Sequence, residues 1–148
     1  MHTPSLSILY PFLAMVGLTL LVWVWMYITR TRVVITGRLG MDDFQSAGQK
    51  EPFPSDVRYA GENFSNLFEM PVLFYALSIL LYITHTVTET QITLAWWYVA
   101  FRAVHSLIHC SYNKVLHRLS IYLISSLVLW GMWGMFAYEI LINTLVQV

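Results

Sequence analysis

The chain has 148 residues, of which 57% are hydrophobic, 16% aromatic and only 11% charged, with eight basic side chains against eight acidic ones. Soluble domains carry roughly 25% charged residues, so this composition excludes an ordinary soluble protein and indicates one small integral membrane domain. No phosphate-binding loop, Ser/His/Asp arrangement or basic nucleic-acid patch is present, and nucleic acid is not an expected partner.

Four apolar stretches, near residues 6–28, 64–83, 92–108 and 119–141, each approach the roughly 17 to 25 residues that a spanning helix needs. The first has no Lys or Arg before it and no small-residue cleavage site after it, so it is expected to remain as a helix over about 6–28. Trp23, Trp25 and Tyr27 lie near its end, where aromatic belts anchor a helix at the membrane interface. A long connection follows, about 29–56, broken by Gly37, Gly40, Gly48, Pro52 and Pro54 and carrying the acidic pair Asp42 and Asp43. The second helix is expected over about 57–83, capped by Ser55 or Asp56, with a kink where Pro71 removes a backbone donor.

The third helix is expected over about 92–110, with Trp96, Trp97 and Tyr98 as further interfacial anchors, and the fourth over about 118–142. On the fourth, Ser125, Ser126, Gly131 and Gly134 offer small surfaces for close helix packing. Arg30, Arg32, Arg38, Lys50, Arg58, Lys114 and Arg118 fall in or beside the first and third connections, so seven of eight basic residues lie on one face. By the positive-inside rule that face is cytoplasmic and both termini are on the other side.

Charged and polar residues inside these stretches need a reason, because an arginine at the centre of a spanning helix costs roughly 2.5 to 3.5 kcal/mol on insertion scales. Arg58, Glu62, Asn66 and Glu69 follow helical steps of four, four and three, and Arg102, His105, His109 and Asn113 form a second stripe of the same kind. At a rise of 1.5 Å per residue, Glu69 lies roughly 10 Å from the cytoplasmic end of its helix, and Arg102 and His105 about 10 to 15 Å from theirs. Glu69 and Arg102 are therefore expected to meet at one level. A bare ion pair that sets helix register needs two residues; six or more polar groups point to a ligand site.

His105 and His109 share a face, as metal or haem ligands do. A haem with two histidines needs one from a second helix at equal depth. His85 belongs near the opposite face, and His2 and His117 are terminal or loop residues, so no metal or haem is expected. Cys110, the only cysteine, excludes an intrachain disulfide and reads either as a small apolar filler or as a reactive thiol beside the polar cluster.

The run Asn66-Leu-Phe-Glu69-Met-Pro71, then Arg102-Ala-Val-His105 with His109, and Arg118 sixteen residues after Arg102, resembles the MAPEG family, the membrane-associated proteins in eicosanoid and glutathione metabolism. The run from Asn66 to Leu77 is similar to bacterial members, which implies a bacterial inner membrane. The resemblance implies an all-α, integral membrane four-helix bundle assembled as a homotrimer, with glutathione as cosubstrate between subunits near the cytoplasmic face. A small lipophilic substrate would arrive from the membrane lipid. Carried over by position, Arg118 would be the catalytic residue that holds the thiolate. Asn66, Glu69, Arg102 and His105 would hold the cosubstrate, and Arg30 could reach one of its carboxylates.

Two positions depart from the family pattern. Glutathione-using members usually carry an arginine where this chain has Glu62, and a tyrosine where it has His109; Arg58 and Tyr112 lie one turn away from them. His109 and Tyr112 are therefore counted with the expected binding residues. The resemblance implies a thiol transferase or peroxidase acting on a lipophilic electrophile or lipid hydroperoxide, and alternatively a non-catalytic lipid-binding or accessory membrane protein of the same fold.

Overall fold

The computed structural model describes residues 6–38, 40 and 53–146, so Asp42, Asp43, Gly48, Lys50 and Pro52 of the long connection, and His2, lie outside the described residues. Every regular element among the described residues is helical: a 3-10 turn, Leu6–Ile8, leads into α1, Leu9–Ile35, followed by α2, Ser55–Asn66, α3, Met70–Ile83, α4, Glu89–Cys110, and α5, Val115–Val146. With α2 and α3 as two halves of one rod, this is a bundle of four helices. Three stretches, Leu6–Ile35, Ser55–Ile83 and Val115–Ile142, are long and apolar enough to cross a membrane. The polar residues of α4, from Glu89 to His109, set it apart from those three.

α1 continues seven residues beyond position 28, because an apolar run marks where lipid ends and not where helical hydrogen bonding ends. Its stop is Gly37, whose φ of +66° puts it in the left-handed region, with Gly37 N–H bonded to the Val34 carbonyl and Arg38 N–H to the Val33 carbonyl, both at 3.0 Å. α2 begins at Ser55 with Pro54 in the capping position and no side-chain cap, and Asp56 sits in its first turn beside the positive end of the helix dipole.

The kink expected at Pro71 is a full break placed upstream of it. Pro71 stands at the start of α3, where its missing N–H costs nothing, while its ring excludes a helical carbonyl at Leu67. Residues 67–69 turn between the halves, with Phe68 N–H bonded to the Ser65 carbonyl at 2.9 Å and Val72 N–H to the Glu69 carbonyl at 3.1 Å. Glu69 is thereby lifted out of a continuous helix into the turn.

α4 starts at Thr88, whose hydroxyl accepts from Gln91 N–H at 3.2 Å, and packs most extensively against α5. The core is built from Met15 and Val22 of α1, Phe74, Leu77 and Leu81 of α3, Ala95 and Tyr98 of α4, and Leu129 and Met132 of α5. Tyr98 is no interfacial anchor: it is fully buried, with its ring stacked on Phe74 at 4.7 Å between centroids. Trp23, Trp25, Trp96 and Trp97 remain exposed, as side chains facing an interface should be. Of the small residues on α5, Ser125 and Ser126 are buried, whereas a Cβ at Gly131 or Gly134 meets nothing within 4 Å in the chain.

Candidate functional site

The break between α2 and α3, the second half of α4 and the start of α5 enclose a cleft of about 480 Å³, lined by Glu62, Ser65, Asn66, Glu69, His105, His109, Val115, Arg118, Leu119 and Tyr122. Five of the residues expected from sequence, Asn66, Glu69, His105, His109 and Arg118, share this wall.

Arg102 lies directly behind it at 0% exposure, which makes its bonding decisive for the α4 register. Its Nη2 donates to the Asn66 side-chain oxygen and to the Asn66 backbone carbonyl, the latter at 3.1 Å. That carbonyl lies in the last turn of α2, where it also accepts a long bond from Glu69 N–H at 3.4 Å, and its second lone pair is open to Arg102. Asn66 in turn donates from Nδ2 to Glu69 Oε2 at 2.9 Å. The expected direct contact of Glu69 with Arg102 is therefore replaced by a relay through Asn66. The reason is the break: once Glu69 leaves the helical stripe, the amide of Asn66 stands between the two charges and can serve both, as donor to one and acceptor from the other. Arg102 also lies over the Tyr122 ring, 5.7 Å from its centroid.

Arg118, half-buried in the first turns of α5, presents its guanidinium to the cleft. Its Nη1 donates to Asn113 Oδ1 at 2.9 Å and contacts His109 Nε2 at 3.0 Å. Asn113 does not extend the α4 stripe as a helical residue. It occupies the α4–α5 turn at φ +45°, a left-handed conformation that asparagine tolerates better than most residues, and its N–H returns to the Ile108 carbonyl at 2.9 Å. The turn thus ends α4 and supplies an oxygen to Arg118.

His105 contacts the Arg118 backbone carbonyl through Nδ1 at 3.2 Å. A carbonyl only accepts, so Nδ1 carries the hydrogen there. His109 Nε2 also faces Glu62 Oε2 at 3.4 Å, and Glu62 reaches Arg58 Nε at 3.8 Å through its other oxygen.

Besides Arg102, two expected residues are not part of this wall. Tyr112 is exposed, with its hydroxyl 3.2 Å from His117 Nδ1. Arg30 is exposed on α1, its Nη2 3.8 Å from where a Cβ on Gly61 would stand. Tyr122 and Asn63 were missed. Tyr122 was detectable as the residue four after Arg118, on the same face of α5. Asn63 is fully buried, accepting from Ser106 Oγ at 3.3 Å and donating to Cys110 Sγ at 3.3 Å. Its place outside the α2 stripe hid it. Cys110 accordingly turns away from the cleft, into an apolar groove between α1 and α4 lined by Leu18, Leu21, Val22, Trp25 and Leu107. Among the described residues no group of three or more His, Cys, Asp or Glu side chains is gathered as a metal ion would require.

No curated protein and no solved structure matches the chain. A family model does, that of the MAPEG family, and it matches residues 8–138. With that span covering nearly all of the 148 residues and three helices able to cross a membrane, the chain is an integral membrane protein that belongs to the MAPEG family.

Proposed function

We propose that this member of a family of glutathione-related membrane transferases and peroxidases transfers glutathione, or a related thiol, to a lipophilic electrophile or reduces a lipid hydroperoxide. The observation that carries the reading is Arg118, a half-buried cation held by Asn113 and His109 at the edge of a cleft whose other wall is Asn66 and Glu69. A cation beside a thiol favours the thiolate, which is the nucleophilic form. In this reading Arg118 holds the sulfur, while Asn66 and Glu69 bind the amide and ammonium groups of the peptide. Arg102 acts from behind the cleft by fixing Asn66, and His105, on the cleft wall, by holding the Arg118 backbone.

α4, 22 residues long, is the fourth span at about 33 Å, with its polar stripe turned toward α2 and α5. The chain works as a homotrimer in a bacterial inner membrane, the cleft near the cytoplasmic side and both termini on the other. Arg30 and Tyr112, which stand away from the cleft within one chain, then serve a cleft completed by a neighbouring subunit.

A second reading, a non-catalytic lipid-binding protein of the same fold, is favoured by one observation: Glu62 places a carboxylate in the cleft wall, 3.4 Å from His109, where an anionic tripeptide is least welcome. Calorimetric titration of glutathione into detergent-purified protein separates the two. Binding that is lost in Arg118→Ala supports the thiol site; absence of binding, together with co-purified lipid, supports the second reading.

A further inference from the structure

His109 Nε2 has two neighbours that want opposite things of it. Arg118 Nη1, at 3.0 Å, can only donate; Glu62 Oε2, at 3.4 Å, can only accept when ionised. One ring nitrogen carries either a lone pair or a hydrogen. With a lone pair it accepts from Arg118 and faces the carboxylate without a bond; with a hydrogen it donates to Glu62 and turns an N–H toward the guanidinium. The other ring nitrogen, Nδ1, is buried with no hydrogen-bond partner among the described residues, so the two neighbours of Nε2 are its hydrogen-bonding contacts.

We propose that His109 is the catalytic proton acceptor for the bound thiol, and that Glu62 is the positioning residue that makes each proton transfer release Arg118 to the sulfur. The proposal rests on the thiol-transfer reading above. In the step, the S–H bond breaks, its proton forms an N–H bond at Nε2, and the electron pair stays on sulfur. The imidazolium then donates to Glu62, and the Arg118 N–H that had been bonded to Nε2 is free to donate to the thiolate.

Charge closes on both sides. Before the step the Glu62 carboxylate and the Arg118 guanidinium flank a neutral ring, beside a neutral thiol; afterwards imidazolium faces Glu62 and guanidinium faces the thiolate. When the sulfur adds to an electrophilic carbon of an activated double bond, an S–C bond forms and the electron pair displaced onto the acceptor takes the proton back from Nε2. No oxidant or reductant is needed.

The charged and titratable groups around His109 are consistent with this exchange. From α2 come Glu62 and, paired to its far oxygen, Arg58; from α4 come Arg102 and His105, whose ring lies edge-on at 5.6 Å; from α5 comes Arg118. Among the described residues Glu62 is the carboxylate in contact with the ring and so the one placed to stabilise its protonated form, while Glu69, the other carboxylate of the cleft wall, is bonded to Asn66. The two departures from the family pattern, Glu62 and His109, thereby form one device: a carboxylate is useful at position 62 because a base stands at position 109.

The test counts protons. Glutathione is mixed with detergent-purified protein in weakly buffered solution, with thiolate followed by its ultraviolet absorbance and released protons by an indicator dye. In the wild type, thiolate forms with no proton appearing in solution; in His109→Gln, each thiolate formed releases one. Glu62→Gln, at a half-exposed side chain, lowers the thiolate yield at fixed pH by about tenfold, since it removes the carboxylate that accepts from the protonated ring.

One proton released per thiolate in the wild type overturns the proposal without using any variant. So does a thiolate yield that Glu62→Gln leaves unchanged. Glutathione that binds without forming thiolate removes the proton-acceptor role and leaves the binding site standing; glutathione that does not bind at all removes the thiol reading itself, and this proposal with it.

Discussion

Arg102 on α4 grips Asn66 on α2 twice, at its side-chain oxygen and at its backbone carbonyl. The second bond matters as much as the first, because it ties Arg102 to a carbonyl at the end of a helix that otherwise takes only a long bond from Glu69 N–H among the described residues. A single cation thus seals the break between α2 and α3 and holds the amide that orients Glu69.

Asn66→Ala removes the side-chain acceptor and leaves Arg102 with the backbone bond alone. Hydrogen bonds to charged groups are worth about 1.5 to 3 kcal/mol, and the loss is expected near the upper end because Arg102 is wholly buried. Thermal denaturation in detergent reads it. Asn66→Asp, which keeps an acceptor and adds a counter-charge to Arg102 but loses the donor to Glu69, is expected to retain more stability while losing thiol affinity.

Arg118→Ala is expected to lower glutathione-dependent turnover by about 10² to 10³-fold, the usual cost of deleting one group that stabilises a developing anion. Its side chain is half-buried and its partners, Asn113 and His109, are held by the turn and by α4, so thermal stability should change little. Steady-state rates on an electrophilic substrate, with size-exclusion profiles to confirm intact protein, check the pair of claims.

Glu62→Arg separates affinity from rate. Reversing the charge on the cleft wall should tighten glutathione by about fivefold or more, on the order of 1 kcal/mol for one charge pair near a solvated surface. If Glu62 receives the imidazolium proton, the same variant turns over more slowly than the wild type despite binding better. Calorimetry and saturation kinetics measure the two halves independently.

Asn113 has a conformational role and a bonding role that two substitutions divide. Asn113→Gly keeps the left-handed turn at φ +45° without strain and loses only the oxygen bonded to Arg118; Asn113→Ala loses the oxygen and strains the turn by about 1 to 2 kcal/mol. The expected pattern is near-native stability with reduced turnover for the glycine variant, and reduction of both for the alanine variant.

The helices and their polar faces were legible from periodicity because a membrane punishes unpaired charge, so the stripes through Glu62 and Asn66 and through Arg102, His105 and His109 had to face one another. Periodicity pairs Glu69 directly with Arg102 only if α2 and α3 are one helix, and the proline that signals a disturbance does not say whether the chain bends or breaks, or how far upstream. Tyr98 was misread for a related reason: a tyrosine near two tryptophans has the composition of an interfacial belt, but only packing shows that its ring is stacked on Phe74 in the core.

What the sequence by itself determined was therefore the class of molecule and the two polar surfaces, since hydropathy and a 3.6-residue repeat act along one helix at a time. What only the tertiary structure decided was which atoms meet: the relay through Asn66, the return of Asn113 to Arg118 through a left-handed turn, and one nitrogen of His109 shared by Arg118 and Glu62. Those contacts depend on helix ends and on the rotation of one helix against another, and neither is written in the period of any single helix.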